Sequence, residues 1–357
     1  MSATKVHRSR SVKLEDLRRI LLIRLSSLGD VLLMTPLLNL LHRACPHAEI
    51  DVLTKFEYHD LLRSHPAITR LLPFESDQPL RRTLSALRDN TYDLALDLHC
   101  TPRSQLLLRM LRSRRKLTYN KRVLRRAMLV RLGWNTLRNS TPVPELYAAP
   151  LRRLGLEGHL GPPTMHLGYE SLKAAEEHIA SSLPGGFDRP LLAVAPGARW
   201  PTKRWPVDRF AAVAQAMAQE KGAAVVVLGG ADESVLASAL CDNLDVPFIN
   251  AAGTLTLMHS AAMLSRCRLL ISNDSGLMHM ATALRVPVVA IFGPTVREFG
   301  FYPFGAPAEV VSEPLPCRPC STKGSMRCPR SHHACMQDVS SARVLAAVRN
   351  LWKSNNE

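Results

Sequence analysis

The sequence predicts an α/β protein with two facing, Rossmann-like domains, each built on a doubly wound parallel sheet. Two observations support this prediction. The chain has 357 residues, 46% of them apolar, which suits two cores better than one. In both halves, short apolar runs such as Arg19–Arg24 and Leu269–Ser272 pass into a glycine-containing loop and a helix pattern. Such units form parallel sheets that bind ligands at the carboxyl ends of their strands. We therefore expect the functional site at the carboxyl ends of these strands.

The first domain is assigned to residues 1–185. Its predicted strands are Arg19–Arg24, Ile50–Leu53 and Tyr92–Leu98. A helix is predicted over Val31–Arg43, because leucines recur there at helical spacing. Leu61–Leu72 is predicted as a helix or a loop. The first strand runs straight into Leu25–Asp30, so this loop is expected at the ligand-binding edge of the sheet.

The second domain is assigned to residues 186–357, because loop signals around Pro184–Gly186 favour a boundary there. Its predicted strands are Pro190–Ala195, Ala223–Leu228, Phe248–Asn250, Leu269–Ser272 and Val286–Phe292. Predicted helices are Ser171–Leu183 before the boundary and, after it, one starting near Val207, then Leu257–Arg266 and Leu277–Leu284. A Cys-rich loop at 314–338 and a C-terminal helix complete the domain.

One turn of the second domain indicates an anion site. Asn273, Asp274, Ser275 and Gly276 follow a strand and precede the helix pattern that starts at Leu277. The free N–H groups and partial positive charge of a helix N-terminus favour phosphate. A carboxylate beside a bound phosphate is repulsive, so Asp274 either caps the helix or holds hydroxyl groups. A ligand with both phosphate and sugar hydroxyls suits this turn.

The charge balance implies an anionic partner. The formal net charge is +16 at pH 7 and the isoelectric point is near 9.9, which nucleic acid, an anionic membrane surface or a phosphorylated glycolipid would each explain. Nucleic acid is not favoured, because only 5% of residues are aromatic and no familiar nucleic-acid module is legible.

The positive charge is densest between Arg103 and Arg131. Its members are Arg103, Arg109, Arg112, Arg114, Arg115, Lys116, Lys121, Arg122, Arg125, Arg126 and Arg131. Interleaved apolar residues predict amphipathic helices with a basic face. A solvated helix surface explains any single Arg, whereas the zone as a whole favours acidic lipid, because so many like charges repel one another without an anion nearby.

The N-terminus predicts a cytoplasmic protein. The first residues, MSATKVHRSRSVKLEDLRR, are basic but lack an apolar signal core, so we interpret them as a loose tail. No uncharged apolar run reaches the roughly 18 residues that a membrane span needs.

Four cysteines of the C-terminal region have spacing that suits a zinc site. They are Cys317, Cys320, Cys328 and Cys335, with His332 and His333 between the last two. A tetrahedral zinc site needs four such ligands. Reduced thiols in a packed loop, or a disulfide, are the alternatives, although a cytoplasmic location argues against stable disulfides. Cys45, Cys100, Cys241 and Cys267 are scattered and are predicted to lie in the core.

Four motifs together resemble one enzyme family. They are RLSSLGDVLLMTP, PGARWPTKRWPVDRF, LGGADE and SNDSGLMHMATALRVPVVAIFGPT, and they occur in this order between about Arg19 and Val344. This order and spacing resemble glycosyltransferase family 9, the ADP-heptose:lipopolysaccharide heptosyltransferases. The resemblance implies a GT-B fold, in which two Rossmann-like domains face each other. The Cys-containing region is similar to heptosyltransferase II and its generic relatives and unlike heptosyltransferase I.

The resemblance implies an inverting transferase with Asp30 as the base that accepts the proton of the acceptor hydroxyl. Capping of the helix that follows is the alternative role for Asp30. Lys203, with Arg204 beside it, corresponds to the family's phosphate-binding lysine, and either cation can neutralise a departing diphosphate.

Further donor contacts follow from the same resemblance. Backbone N–H groups of Ser275, Gly276 and Leu277 are predicted to bind the phosphates, and Asp274 to hold heptose hydroxyls. His279 is predicted either to face the cleft or to lie in the core. Asp232 and Glu233 both match the position that binds the nucleoside ribose, and the sequence does not distinguish between them.

The implied reaction moves heptose from ADP-L-glycero-D-manno-heptose to the inner core of lipopolysaccharide, on a heptosyl or Kdo-lipid A acceptor. Ser27, Gly29, Arg103, Arg122 and Arg125 are predicted to contact this phosphorylated acceptor at the inner leaflet of the cytoplasmic membrane. No cofactor is required for catalysis, and structural zinc is not favoured. A nucleic-acid-binding protein and a nucleotide-sugar-binding protein without transfer activity are the alternatives. A dinucleotide-dependent oxidoreductase is disfavoured, because neither half has a G-x-G-x-x-G after its first strand.

Overall fold

The computed structural model describes residues 14–87, 91–137, 139–183 and 188–354. Within these ranges the chain forms two parallel sheets, one in each half, with helices alternating between the strands. The predicted α/β architecture of two Rossmann-like domains is therefore confirmed. The predicted N-terminal tail and the predicted boundary between residues 185 and 186 fall outside the described residues.

The first sheet has five strands in the order β3-β2-β1-β4-β5, all parallel. Its strands are β1 (Arg19–Ile23), β2 (Glu49–Lys55), β3 (Arg70–Phe74), β4 (Tyr92–Asp97) and β5 (Ser113–Thr118). The helices of this half are α1 (Leu28–Leu32), α2 (Thr35–Ala44), α3 (His59–Leu62), α4 (Leu80–Leu87), α5 (Pro102–Met110), α6 (Val123–Leu132), α7 (Val143–Arg152) and α8 (Tyr169–Ser182). β1 lies at the centre, so the loop after it reaches the middle of the carboxyl edge.

The second sheet has six parallel strands in the order β11-β10-β9-β6-β7-β8. Its strands are β6 (Leu191–Ala195), β7 (Ala224–Val227), β8 (Phe248–Asn250), β9 (Leu269–Asn273), β10 (Val288–Ile291) and β11 (Ala308–Val311). The helices are α9 (Val207–Lys221), α10 (Ser234–Cys241), α11 (Leu257–Ser265), α12 (Gly276–Ala283), α13 (Ala334–Gln337) and α14 (Ser341–Ser354). The predicted β9-α12-β10 crossover is confirmed, because β9 and β10 are parallel neighbours.

One predicted helix is in fact two. The prediction of a continuous helix over Val31–Arg43 is wrong, because α1 ends at Leu32 and α2 starts at Thr35. Pro36 has no N–H to donate to the carbonyl of Leu32 four residues earlier. The hydroxyl of Thr35 donates to that carbonyl instead, at 2.8 Å. The break lets α1 stand at the cleft as a separate short helix.

Two further assignments in the first half need correction. Leu61–Leu72, predicted as a helix or loop, contains the end of α3 and the start of β3. The zone Arg103–Arg131, predicted as amphipathic helices, contains α5 and α6 but also β5 between them. β5 is an edge strand whose residues alternate between half-buried and exposed. Because basic residues occupy positions of both kinds, the sequence does not show the alternation of apolar and polar residues that predicts a strand.

Buried apolar residues form one cluster that includes the inner faces of both sheets and helices packed between them. The outer face of each sheet has a cluster of its own. α8, which the sequence assigned to the first domain, packs on α11 of the second half, and Arg266 pairs with Glu176 there. The two halves of the chain, each with its own sheet and called lobes below, are thus joined by a continuous core. The position of the boundary between them stays a prediction.

Among the described helices, none is long and apolar enough to cross a membrane.

Candidate active site

The two lobes share a cavity of about 430 Å³ at the carboxyl edges of their sheets. The first lobe contributes residues of α1, the residue before it and Tyr58 after β2, and the second contributes segments that follow β6, β9, β10 and β11. The predicted site residues that line the cavity are Ser27, Gly29, Asp30, Lys203, Asp274, Ser275, Gly276 and His279. Side chains from loops more than 170 residues apart in sequence thus converge on one cleft.

Asp30 lies in the first turn of α1 and faces this cavity. Its carboxylate accepts hydrogen bonds from the hydroxyl of Ser27 at 3.0 Å and the backbone N–H of Ser27 at 3.4 Å. Asp30 therefore does take part in capping α1, as the alternative role required. The capping contacts use only Oδ2 of the carboxylate. Asp30 can therefore cap α1 and still face the cavity.

Arg24, which the sequence analysis did not identify as a site residue, forms an ion pair with Asp30 but does not line the cavity. The guanidinium of Arg24, just after β1, lies 2.6 Å from Asp30 Oδ2. Burial would raise the pKa of Asp30, but the charge of Arg24 and the hydrogen bonds from Ser27 lower the pKa below its ordinary value. Asp30 is consequently a carboxylate at neutral pH. The other oxygen, Oδ1, accepts from the hydroxyl of Tyr147 at 3.2 Å, and burial raises the pKa of that phenol, so Tyr147 stays a donor.

The second lobe has a matching ion pair. Lys203 Nζ lies 2.6 Å from Asp274 Oδ2, and both side chains are largely buried. The hydroxyl of Thr295 donates to the same oxygen at 2.7 Å. Asp274 therefore does not cap α12, whose N-cap residue is Ser275. Because both contacts use Oδ2, Oδ1 of Asp274 is left for another donor.

Asn273, the last residue of β9, ties the Lys203 segment to the sheet. Its amide donates to the carbonyl of Pro196 at 2.8 Å, and its Oδ1 accepts from the backbone N–H of Trp205 at 3.0 Å. The chain between these two contacts contains Lys203. The position of the lysine is therefore fixed by the strand that also carries Asp274 into the cavity.

The two lobes touch through glycines at the starts of α1 and α12. A Cβ on Gly29 would lie 2.4 Å from Cδ2 of His279, and a Cβ on Gly276 would lie 3.1 Å from Leu28. His279 is buried and also lines the cavity. The two positions predicted for it, in the core and facing the cleft, therefore both apply. Burial lowers the pKa of His279, against the opposing charges of Asp274 and Asp30, so its imidazole is neutral.

Two further cations line the cavity without an ion-pair partner among the described residues. Arg199 and Lys323 both lie over the ring of Trp200, at 5.6 and 5.2 Å from its centroid. Lys323 belongs to the Cys-rich loop, which is bonded to the Lys203 segment through Thr202 and Ser325. Sequence reasoning missed both cations, although Arg199 lies in the same segment between β6 and α9 as Lys203.

Several predicted site residues do not line this cavity. Arg204 donates to the carbonyl of Ala198 at 2.8 Å. Asp232 is exposed, whereas Glu233 packs so closely on Gly197 that a Cβ there would lie 2.1 Å from its carboxyl group. Burial raises the pKa of Glu233. The remaining ones are Leu277, Arg103, Arg122 and Arg125.

The three predicted acceptor-binding arginines have other surroundings. Arg103 donates to the carbonyls of Ser76 and Gln78, Arg122 donates to the hydroxyl of Thr141 at 3.1 Å, and Arg125 is exposed. Their role toward an acceptor stays a prediction.

The cysteines are free thiols. Sγ of Cys317 lies 3.9 Å from Nε2 of His332, but the described residues contain no group of three or more His, Cys, Asp or Glu side chains able to hold a metal. The structure therefore gives the zinc alternative no support. Cys45, Cys241 and Cys267 are buried, as predicted, while Cys100 is half-buried.

The arrangement suits a transfer between a hydroxyl and a phosphate-bearing donor. One wall offers a carboxylate that can accept a proton. The opposite wall offers Lys203 and the N-terminus of α12, where negative charge is stabilised.

Comparisons of the sequence with known proteins point to one family of enzymes. The model of the family described as glycosyltransferase family 9 (heptosyltransferase) matches residues 80–329. Lipopolysaccharide heptosyltransferase 1 of Pseudomonas aeruginosa is 28% identical over 329 residues, covering 85% of this chain and 86% of that protein.

Two solved structures share the fold. A glycosyl transferase family 9 protein from Veillonella parvula superposes with a TM-score of 0.79 and 23% identity, covering 96% of this chain and 99% of that one. The ADP-heptose LPS heptosyltransferase II of E. coli superposes with a TM-score of 0.75 and 25% identity, covering 95% and 100%.

Proposed function

This chain belongs to glycosyltransferase family 9, and we propose that it transfers heptose, with inversion, from ADP-L-glycero-D-manno-heptose to the inner core of lipopolysaccharide. The observation that carries the proposal is the shared cavity, which Asp30 enters from one lobe and Lys203 from the other. Inverting transfer needs a base on one face of the sugar and a stabilised leaving group on the opposite face. Names of similar proteins, heptosyltransferases 1, 2 and 3, support the donor and the acceptor class.

We assign the base role to Asp30. The acceptor hydroxyl donates its proton to the carboxylate while its oxygen bonds to the anomeric carbon, and the bond from that carbon to the β-phosphate oxygen breaks. Arg24 keeps Asp30 ionised at neutral pH, so the base is always in the state that accepts a proton. A lowered pKa makes it a weak base, so the proton moves as the acceptor oxygen becomes acidic in the transition state.

The leaving group, ADP, departs toward the second lobe. Lys203 and the backbone N–H groups at Ser275, Gly276 and Leu277 bind its phosphates. The charge of Lys203 is partly offset by Asp274 at 2.6 Å, so Arg199 and Lys323 supply the additional positive charge. The remaining oxygen of Asp274, Oδ1, accepts a heptose hydroxyl. No step in this scheme uses a metal.

Of the two candidates for the ribose, we choose Glu233. Its carboxylate is packed against the backbone after β6, on the same edge of the sheet as the cavity, whereas Asp232 is exposed. A carboxylate held against backbone can accept from both ribose hydroxyls without a large loss of side-chain entropy.

The acceptor is a phosphorylated lipid A-core molecule at the inner leaflet, which places the enzyme on the cytoplasmic face of the membrane. The net charge of +16 supports an anionic acceptor. Arg103, Arg122 and Arg125, which do not line the cavity, are assigned to the phosphorylated part of this acceptor.

A donor screen tests the proposal. Purified protein is given ADP-heptose, ADP-glucose or UDP-glucose with a Kdo-lipid A acceptor, and the product is analysed by mass spectrometry and NMR. We expect transfer from ADP-heptose, with the anomeric configuration opposite to that of the donor. Retention of configuration, or a preference for another sugar nucleotide, would refute the corresponding part of the proposal.

A further inference from the structure

Exposed apolar side chains are concentrated in one stretch of the sequence, within the first lobe. The described residues include eleven exposed large apolar side chains, and six of them fall between residues 106 and 134. We call these six the apolar patch: Leu106, Met110, Val123, Leu124, Leu132 and Trp134. They belong to α5, α6 and the turn after α6. Leu124 is 80% exposed and Trp134 is 62% exposed. Isolated exposed apolar residues are ordinary, but such a concentration marks an interaction surface.

The same stretch is basic and contains no acidic residue. Between residues 98 and 144 the sequence has twelve Lys or Arg and no Asp or Glu. Arg109, Arg112, Arg125 and Arg131 are exposed, and in the described residues none of these four has a carboxylate within ion-pair distance. Positive charge and exposed apolar groups are therefore presented together.

α6 connects this surface to the active site. The helix turns Arg126 inward, where its guanidinium donates to the carbonyl of Phe299 at 3.0 Å and lies over the rings of Phe299 and Phe301. Both phenylalanines line the cavity. Leu124, two residues before Arg126 and therefore on the opposite side of the same helix, is exposed to solvent. Whatever binds the apolar patch is thus one helix away from the cleft.

We infer that the apolar patch inserts into the interface of an anionic lipid bilayer, with the surrounding arginines on lipid phosphates. Amphipathic basic helices with exposed Leu and Trp bind such interfaces through apolar burial and attraction to anionic headgroups. A second copy of the chain fits worse, because a self-complementary contact would bring like charges together. Nucleic acid fits worse, because five of the six side chains of the apolar patch are not aromatic and cannot stack on bases. The inference rests on the proposed function where it orients the cleft toward a lipid-linked acceptor.

Vesicle sedimentation with a matched pair of variants tests the surface. Leu124→Ser removes a side chain that is 80% exposed, and Val235→Ser on α10 removes one that is 79% exposed but lies outside the patch. With vesicles of phosphatidylcholine containing phosphatidylglycerol, we expect Leu124→Ser to weaken binding about tenfold, the value for one buried aliphatic side chain. Val235→Ser is expected to bind like the wild type. Binding to pure phosphatidylcholine should be weaker, and added salt should weaken binding to the anionic vesicles.

Equal binding of the two variants would overturn the inference, as would equal binding to both vesicle types. A change from dimer to monomer in Leu124→Ser, measured by light scattering, would instead assign the patch to a second copy and also overturn it. Displacement of vesicles by duplex DNA, with no dependence on Leu124, would assign the charge to nucleic acid. Thermal melting should be unchanged in both variants, because both side chains are exposed.

A comparison of acceptors separates this inference from the proposed function. Leu124→Ser should keep wild-type transfer to a deacylated, water-soluble acceptor and lose about tenfold in transfer to the same acceptor embedded in vesicles. If the wild type transfers heptose to neither acceptor while anionic vesicles still bind, the proposed function fails and the membrane surface stands. If transfer from vesicles is unaffected by Leu124→Ser, the membrane surface fails and the proposed function stands.

Discussion

The two lobes each bring an ion pair to the cleft, and the pairs are built in opposite ways. Each follows a central strand, β1 or β9, and each has a shortest N to O distance of 2.6 Å. In the first lobe the cation is the more buried partner, because Arg24 is 5% exposed and Asp30 17%. In the second lobe the carboxylate is the more buried one, because Asp274 is 8% exposed and Lys203 13%.

This difference explains how the same interaction can serve two purposes. Where the cation is the more buried partner, the carboxylate faces the cavity as an ionised proton acceptor. Where the carboxylate is the more buried partner, the cation faces the cavity as a phosphate ligand, and the carboxylate offers the cavity its remaining oxygen. The length of a salt bridge therefore does not define its role, which depends on the partner that the fold leaves toward the substrate.

Arg24→Gln should have the largest effect on this comparison. Removing one partner of a buried ion pair typically costs about 3–5 kcal/mol, and we expect a loss of that order in the free energy of unfolding at pH 7, measured with urea. The pKa of Asp30 should rise once its counter-ion is gone, so the acid limb of the kcat/KM profile should move to higher pH. The control is Arg63→Gln, whose pair with Asp60 is exposed and is worth about 0–1 kcal/mol.

The pH dependence of wild-type stability follows from the same pair. The folded-state pKa of Asp30 lies below its ordinary value, so its stabilisation is fully present above the unfolded-state pKa and is lost as the pH falls through the folded-state pKa. In Arg24→Gln the folded-state pKa of Asp30 should lie closer to the unfolded-state value, so this acid-dependent loss should be smaller and should end at a higher pH. An unshifted kcat/KM profile in the variant would contradict a role for Arg24 in setting the charge of Asp30.

Gly29→Ala should push the two ion pairs apart. Its Cβ would lie 2.4 Å from His279, so either the imidazole or the lobe must move, at a cost of about 1–3 kcal/mol. We expect transfer to fall by up to about 100-fold, because a displacement of 1 Å at a reacting centre can cost that much. Gly161→Ala is the control, since nothing lies within 4 Å of its added Cβ. Wild-type transfer by Gly29→Ala would show that the lobes need not meet there.

Lys203→Ala and Asp274→Asn should change the affinity for ADP in opposite directions. Loss of the lysine removes a charge-assisted contact worth about 1.5–3 kcal/mol, so the Kd for ADP should rise about 10- to 100-fold. Asp274→Asn releases the lysine charge, so ADP should bind as tightly as before or more tightly, while kcat falls with the lost sugar contact. Isothermal titration of both variants checks this. Weaker ADP binding in both would mean that the pair acts only as a structural unit.

Lys323→Ala should have the smallest effect. Its ammonium lines the cavity but is exposed and screened, so we expect the KM for the donor to rise about threefold to tenfold with unchanged stability. Arg327→Ala is a matched control, because it is an exposed cation of the same loop that does not line the cavity. The same KM in both variants would remove Lys323 from the donor site.

The sequence predicted the central strands better than those at the edges. β1, β6, β9 and β10 have neighbours on both sides and read as apolar runs. The strands that were missed, β3, β5 and β11, all lie at sheet edges. Edge strands are short, charged or proline-containing, as SRRKLT of β5 and Pro73 of β3 illustrate. Their apolar pattern is too weak to distinguish from a helix or a loop.

The site was predictable where function is encoded in one loop, and unpredictable where it depends on packing. Asp30 and Asp274 stand in turns after strands and Lys203 in a motif of the family; all three line the cavity, and their roles stay predictions. Arg24 and Tyr147 were missed, because Tyr147 is 117 residues from Asp30 and the partnership exists only in the folded chain. The predicted Arg103, Arg122 and Arg125 do not line the cavity. They were chosen from the density of positive charge, which indicates a basic surface but not where each side chain points.

The central claim is that the carboxylate of the first lobe accepts the proton while the second lobe binds the nucleotide. Single-turnover transfer by Asp30→Asn, measured beside its Kd for ADP, tests this most directly, because Asn can still bond Ser27 and Tyr147 but is no base. We predict a rate at least about 100-fold below that of the wild type, with ADP affinity unchanged within about twofold. An undiminished rate, or a loss of ADP binding as large as the loss of rate, would contradict the account.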